Sequence, residues 1–271
     1  MQLCMSMWSF QELLTTGRMD FSGFADYCVT HGITYVELLD FFVEKDLDAC
    51  LGIMDKKQLV PAVWSICNDF VQPTKELRQK QIEYTIHQID IASRINAPLM
   101  RVFSGDVKES VCSFEEGMAS IMECYVPCVA HAARQKVTLC LENHGVFAAT
   151  SQQVSGLLSV FSSPYMRSNF DMANFLFVDE SPLDAAKNLS GQVSLLHVKD
   201  YASSPEHVGW PTPGGLWYEG CPLGQGVVPI QQILAILSQG GFDGVASIEL
   251  ESPHPIAAAD TSIAYLRNIG L

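Results

Sequence analysis

Eight short apolar runs recur along the chain, separated by longer stretches with helical periodicity, and few architectures accept that rhythm. The runs are Cys4–Trp8, Tyr35–Leu39, Ala62–Cys67, Leu99–Phe103, Thr138–Glu142, Arg167–Asp171, Leu195–Lys199 and Ala246–Leu250. Their almost unbroken hydrophobicity predicts parallel strands covered on both faces. Between them, residues 75–95 place Leu77, Ile82, Ile86, Ile89 and Ile91 against a polar opposite side, as an amphipathic helix does. Residues 114–134 predict a second helix, with Ser113 as N-cap and Glu116 as its capping-box partner. A third, over 230–238, stops at Gly240 and Gly241. Strand and helix repeated over 271 residues predict an α/β fold, a (β/α)8 TIM barrel, which takes roughly 250 residues. With no linker and no low-complexity segment, residues 1–271 are expected to form one domain.

Composition matters chiefly for what it excludes. A net charge of −14 argues against a nucleic-acid partner, because duplex affinity rests on Lys and Arg neutralising phosphates. No run of about eighteen apolar residues predicts a membrane span. The nine cysteines are scattered, odd in number and without a CxxC, so reduced thiols in a cytoplasmic protein are the expectation. Residues 1–10 lack the basic region and cleavage site of a secretory leader.

The polar residues fall where the chemistry of a barrel is built. Run five ends in Leu141-Glu142-Asn143-His144-Gly145, and run six in Asn169-Phe170-Asp171-Met172-Ala173-Asn174. Run seven ends in Leu196-His197-Val198-Lys199-Asp200, and run eight in Ser247-Ile248-Glu249-Leu250-Glu251. Four consecutive strands thus deliver Glu142, Asp171, His197 and Glu249 to their C-terminal ends, where a closed barrel brings them together. Three carboxylates there would repel one another, and one divalent cation relieves the repulsion. A mixed oxygen and imidazole set suits Mn2+, Co2+, Mg2+ or Zn2+. A hydrogen-bonded structural network is the alternative reading of the same four residues.

LENHG at 141–145, FDMAN at 170–174, HVKD at 197–200, GQG at 224–226 and SIELE at 247–251 carry a resemblance. In that order and spacing, with Gly-Phe-Asp-Gly at 241–244 before the last strand, the chain resembles the xylose isomerase-like sugar isomerases and epimerases. That family includes ketose 3-epimerases and hydroxypyruvate isomerases. The resemblance implies Glu142, Asp171, His197 and Glu249 as metal ligands, with Glu142 and Glu249 also the catalytic carboxylates. It further implies a small sugar or sugar-phosphate substrate and, as such enzymes form dimers or tetramers, a homodimer or homotetramer. A metal holding adjacent carbonyl and hydroxyl oxygens acidifies the intervening C–H, and a glutamate removes the proton to give a cis-enediolate. Return of the proton to the same carbon from the other face epimerises; return to the neighbouring carbon isomerises. One departure stands out: ketose 3-epimerases carry histidine where this chain has Asn174, which binds a hydroxyl but exchanges no proton. A keto-inositol dehydratase and a non-catalytic, metal-containing sugar-binding barrel are the competing readings.

Other residues fit more than one reading. Glu37 is placed either near substrate or in a salt bridge within the barrel. Arg101 either holds a substrate oxygen or phosphate or neutralises the strand-end acids. Lys199 points the same way as His197 and is assigned to substrate, with pairing to Asp200 as the alternative. Asn143 and His144 are read as loop hydrogen bonding, Trp8 as a core aromatic, and Glu251 as facing away from the axis. The segment Ala202–Val227 is rich in Pro and Gly, follows run seven and is long for a plain connector. It is expected to help bind substrate, with His207 and Glu219 as residues that close over it.

Overall fold

In the computed structural model, residues 1–106 and 113–271 are described; Cys112 lies outside them. The eight apolar runs form β1 (Gln2–Ser6), β2 (Tyr35–Leu39), β3 (Val60–Ser65), β4 (Leu99–Val102), β5 (Thr138–Glu142), β6 (Met166–Asp171), β7 (Val193–Val198) and, last in the chain, β11 (Val245–Ile248). They pair in parallel and close on themselves in the order β1-β2-β3-β4-β5-β6-β7-β11. The molecule is a closed (β/α)8 barrel, as the alternation predicts.

The predicted helices occur at Lys75–Arg94, Phe114–Gln135 and Ile230–Gln239. The Ser113 and Glu116 side chains make the reciprocal capping box. The apolar faces of the outer helices meet the outward faces of the strands in one large core that includes Trp64, Phe70, Tyr125, Leu157, Phe170 and Ile233. Among the described residues, no helix is long and apolar enough to cross a membrane.

Alternation along each strand sorts the barrel interior into layers. Cys4, Val63, Cys140, Leu195 and Val245 make an apolar floor with Tyr35 and Leu99 packed against it. Two residues further along the same strands stand Ser6, Glu37, Ser65, Arg101, Glu142, His197 and Ser247, all buried and polar. The strand ends are therefore polar where the floor is apolar, and the polarity lies at the C-terminal mouth.

Several strands start and stop earlier than their apolar runs suggest. Trp8 has left β1 and lies in a 3-10 turn, Met7–Phe10, while Glu249 follows the last residue of β11. Residues 202–227 are not an irregular loop. They contribute to a three-stranded antiparallel sheet of β8 (Tyr201–Ser203), β9 (Trp210–Pro211) and β10 (Trp217–Gly220), in the order β8-β10-β9.

Candidate metal centre and active site

Register decides which side chains meet. Asp171 on β6 stands level with His197 on β7, whereas Glu142 on β5 is level with Asn169. A shift between Ser168 and Asn169 in the β6–β7 pairing alters the stagger at this corner. The Glu249 amide donates to the Val198 carbonyl at 3.2 Å, carrying the β7–β11 pairing one residue past the strand. With this stagger, one ligand atom from each of Glu142, Asp171, His197 and Glu249 lies within 4.8 Å of all the others, and all four residues are buried.

His197 is the hub. Its Nδ1 is 3.2 Å from Glu249 Oε2, 3.7 Å from Glu142 Oε2 and 3.9 Å from Asp171 Oδ2. On the other side of the ring, Nε2 lies 3.2 Å from Glu37 Oε1. Glu37 also accepts from the Ser65 hydroxyl at 2.5 Å and the Ser247 hydroxyl at 2.6 Å. Held this way, the imidazole presents Nδ1 to the three strand-end carboxylates, the arrangement by which a second carboxylate orients a metal-binding histidine.

Burial disfavours a charged imidazole, yet the carboxylates of Glu249, Glu37 and Glu142 outweigh it and raise the His197 pKa to about 10. Burial likewise pushes Glu37 up, but His197 and Arg101 win and lower it to about 2. Glu142 is raised by burial in spite of His197 and Arg101. Glu249 is lowered, because His197 and Lys199 overcome its burial.

Do these residues suit a divalent cation? Asp171 Oδ2 is buried and accepts no hydrogen bond among the described residues, while its Oδ1 is taken by the amides of Ala173 and Asn174 at 2.9 and 3.0 Å. A buried carboxylate oxygen without a donor is costly unless something positive faces it, and here Lys199 Nζ at 3.5 Å and His197 Nδ1 at 3.9 Å face it without a hydrogen bond. Two further carboxylates and an imidazole nitrogen face the same point, so the donor set fits a hard or borderline cation.

A cavity of about 500 Å3 opens above the cluster. Glu142, Glu249 and Lys199 line its depth, and Trp8, Phe103, Phe177 and Trp210 its walls. Lys199 Nζ lies 2.7 Å from Glu249 Oε1, 3.5 Å from Asp171 Oδ2 and 3.6 Å from Glu251 Oε1. Arg101 places its Nε 3.3 Å from Glu142 Oε2 and its guanidinium carbon 4.1 Å from the centre of the Phe103 ring.

A family model described as xylose isomerase-like TIM barrel matches residues 25–269. The chain belongs to that family. Several solved structures share the fold over nearly the whole length. The IolI protein with a bound zinc atom is 17% identical with a TM-score of 0.81, covering 99% of this chain and 98% of that one. The probable 3-DHS dehydratase AsbF of Bacillus anthracis is 19% identical, TM-score 0.78, covering 99% of both chains. A D-psicose 3-epimerase of Clostridium cellulolyticum, solved with D-tagatose, is 11% identical, TM-score 0.75, again over 99% of both. Among curated proteins, the uncharacterized protein YihM of Escherichia coli is 35% identical over 74 residues. That match spans 27% of this chain and about a fifth (21%) of YihM.

Within this family framework the individual expectations fare differently. Arg101, Lys199 and Asn174 all line the cavity. Asn174 donates to Glu142 Oε1 and to the Asn143 carbonyl, both at 3.1 Å, so it also fixes a glutamate. Lys199 pairs with the carboxylates of Glu249, Asp171 and Glu251 and not with Asp200. Glu37 is fully buried beneath the cluster rather than at the cavity wall, because two residues of strand separate it from the mouth. His207 is exposed and stacks on Trp217 on the loop sheet, outside the cavity lining. Glu219, on β10, is exposed as well and is absent from the wall.

Glu251 is corrected in the opposite sense. The β7–β11 pairing runs on past Ile248, so period-two spacing keeps Glu251 on the side of Ser247 and Glu249, and it lines the cavity. Trp8 and His144 also line it, the latter packed against Phe103 with ring centres 4.6 Å apart. Asn143 bridges β5 to β6, donating to the Asp171 carbonyl at 3.0 Å and accepting from its amide at 2.7 Å. These residues carried a signal, since each lies within two residues of a proposed ligand or at a strand end.

Proposed function

We propose that this protein is a divalent-metal-dependent isomerase or epimerase of a small sugar or sugar phosphate. The observation that carries the reading is the convergence of Glu142 and Glu249, from β5 and from beyond β11, on the His197 and Asp171 cluster at the cavity floor. A cation held by these four side chains would polarise neighbouring carbonyl and hydroxyl oxygens and so acidify the C–H between them. One glutamate takes that proton, giving an enediolate, and the other returns a proton from the opposite face for epimerisation. Return to the adjacent carbon gives isomerisation. Arg101 and Lys199 steady the two carboxylates, and Asn174 holds Glu142 by a hydrogen bond. The aromatic walls keep bulk water from the enediolate.

One observation favours a lyase as second reading. Asn174 holds Glu142 but, unlike an imidazole, exchanges no proton, and a dehydratase shares the fold. The same proton abstraction followed by loss of the neighbouring hydroxyl would dehydrate a keto-polyol such as a keto-inositol.

The test is to incubate metal-loaded and EDTA-treated protein with a panel of ketoses and their phosphates in D2O, followed by NMR. Metal-dependent deuterium incorporation next to the carbonyl is expected. A new ultraviolet-absorbing enone or dione points to the lyase, and absence of both products and exchange overturns the enediolate mechanism.

A further inference from the structure

The cavity above the cluster has a neighbour across its outer wall. A second cavity of about 220 Å3 lies beyond it, lined by Ser9, Gln11, Glu12, Leu250 and Ser252, and the two share Trp8, Trp210 and Glu251. A six-carbon sugar has about a dozen heavy atoms; even at the roughly 30 Å3 that a water takes in the liquid, it displaces about 360 Å3. The inner cavity of about 500 Å3 has room for such a sugar with space left over, and the outer one adds to it.

The shared residues are held by the fold. Trp210 Nε1 donates to Glu251 Oε2 at 3.1 Å, and Phe177 packs against the Trp210 ring at 6.3 Å between centres. Glu251 Oε1 reaches towards Lys199 Nζ at 3.6 Å, joining the shared wall to the metal cluster. Two glycines permit the approach. A Cβ at Gly209 would stand 2.2 Å from the Tyr218 carbonyl oxygen, and one at Gly220 would stand 2.2 Å from that of Glu251. Gly209 thus lets the chain before β9 close on β10, and Gly220 lets β10 pack against the chain just past β11, with Trp210 still 55% exposed.

We propose that Trp8, Trp210 and Glu251 form a second sugar subsite, so that the substrate carries another sugar ring on the side remote from the metal ligands. The C–H face of a sugar ring packs on indole, and the Glu251 carboxylate beside Trp210 accepts hydroxyl hydrogens. No cation of the outer cavity calls for a phosphate: its charged lining residues are Glu12 and Glu251. The subsite deepens the isomerase reading, on which it depends only for which end of the substrate reacts.

The experiment is calorimetric titration of the Mn2+-loaded protein with fructose and with isomaltulose, turanose and lactulose, in which fructose carries a second ring at different hydroxyls. At least one disaccharide should bind about tenfold tighter than fructose, the order expected for burying one more ring face. Trp210→Ala should cut that ratio to near one, and Trp210→Phe should recover most of it. If no disaccharide binds tighter than fructose, or if the advantage survives Trp210→Ala, the subsite is overturned. Deuterium exchange scored on the same samples separates the two ideas. A disaccharide advantage without any exchange removes the isomerase reading and keeps the subsite; exchange with fructose and no advantage does the reverse.

Discussion

Glu37 and His197 show how much of this site rests on one buried pair. Two serine hydroxyls and the imidazole Nε2 fix the Glu37 carboxylate, leaving Nδ1 to face the other acids. Glu37→Gln should therefore weaken Mn2+ binding by about 10–100-fold, the usual effect of losing a carboxylate behind a ligand histidine. Competition against a chelating dye measures it, and unchanged affinity would show that the imidazole needs no such support. Protonation works in the same place. Because the His197 pKa is raised to about 10, the metal-free fold is stabilised by the imidazolium below the ordinary histidine range, and that contribution is lost as pH rises through about 10. A cation must displace this proton, so binding at pH 8 should release close to one proton per site and weaken as pH falls. Titration calorimetry in buffers of different ionisation enthalpy reads the proton count; zero release would mean that His197 is neutral or not a ligand.

At the scale of elements, Asp200 ties the loop sheet to the barrel. Its carboxylate accepts the amides of Gly224 and Gly226 at 2.9 Å and of Tyr201 and Val228 at 2.9 and 3.1 Å. The GQG motif is thus a cradle for a carboxylate, and Gly226 is needed because a Cβ would meet Asp200 Oδ1 at 2.1 Å. Asp200→Ala leaves four backbone donors without that acceptor. Amide hydrogen exchange across residues 201–228 should rise about tenfold or more while β4 to β6 keep their protection, since local opening reports local free energy. Uniform loosening of the whole barrel would instead make Asp200 part of the global core.

For the molecule as a whole, closure of the barrel concentrates negative charge at one end. Among the described residues, Glu37, Glu142, Asp171, Glu249 and Glu251 crowd around the cations Arg101 and Lys199, with His197 between them. A cation bound only by the folded state stabilises it by mass action, about 2.7 kcal/mol at a hundredfold excess over its Kd. Mn2+ should then raise the Tm of EDTA-treated protein by several degrees. The double variant Glu142→Gln, Glu249→Gln should remove most of that rise, and a rise that survived it would place the cation elsewhere.

The barrel and the four residues at its mouth were legible in the order of the amino acids alone. Near-continuous apolar runs are what two-sided burial of a parallel strand demands, and an acid or histidine at the end of such a run has few places to go. Period-two alternation also put His197 and Lys199 on one side of β7, which their shared contact with Glu249 reflects. The rest depends on how distant segments pack. The strand β11 ends at Ile248, so whether Glu251 keeps to the side of Ser247 and Glu249 is decided by the fold, and the register shift between Ser168 and Asn169, which sets Asp171 level with His197, leaves no mark on either strand alone. Whether His207 or Trp210 meets the cavity depends on how β8, β9 and β10 fold back over the mouth. That packing is set by glycine contacts and carboxylate–amide bonds between residues tens of positions apart, which no local pattern records.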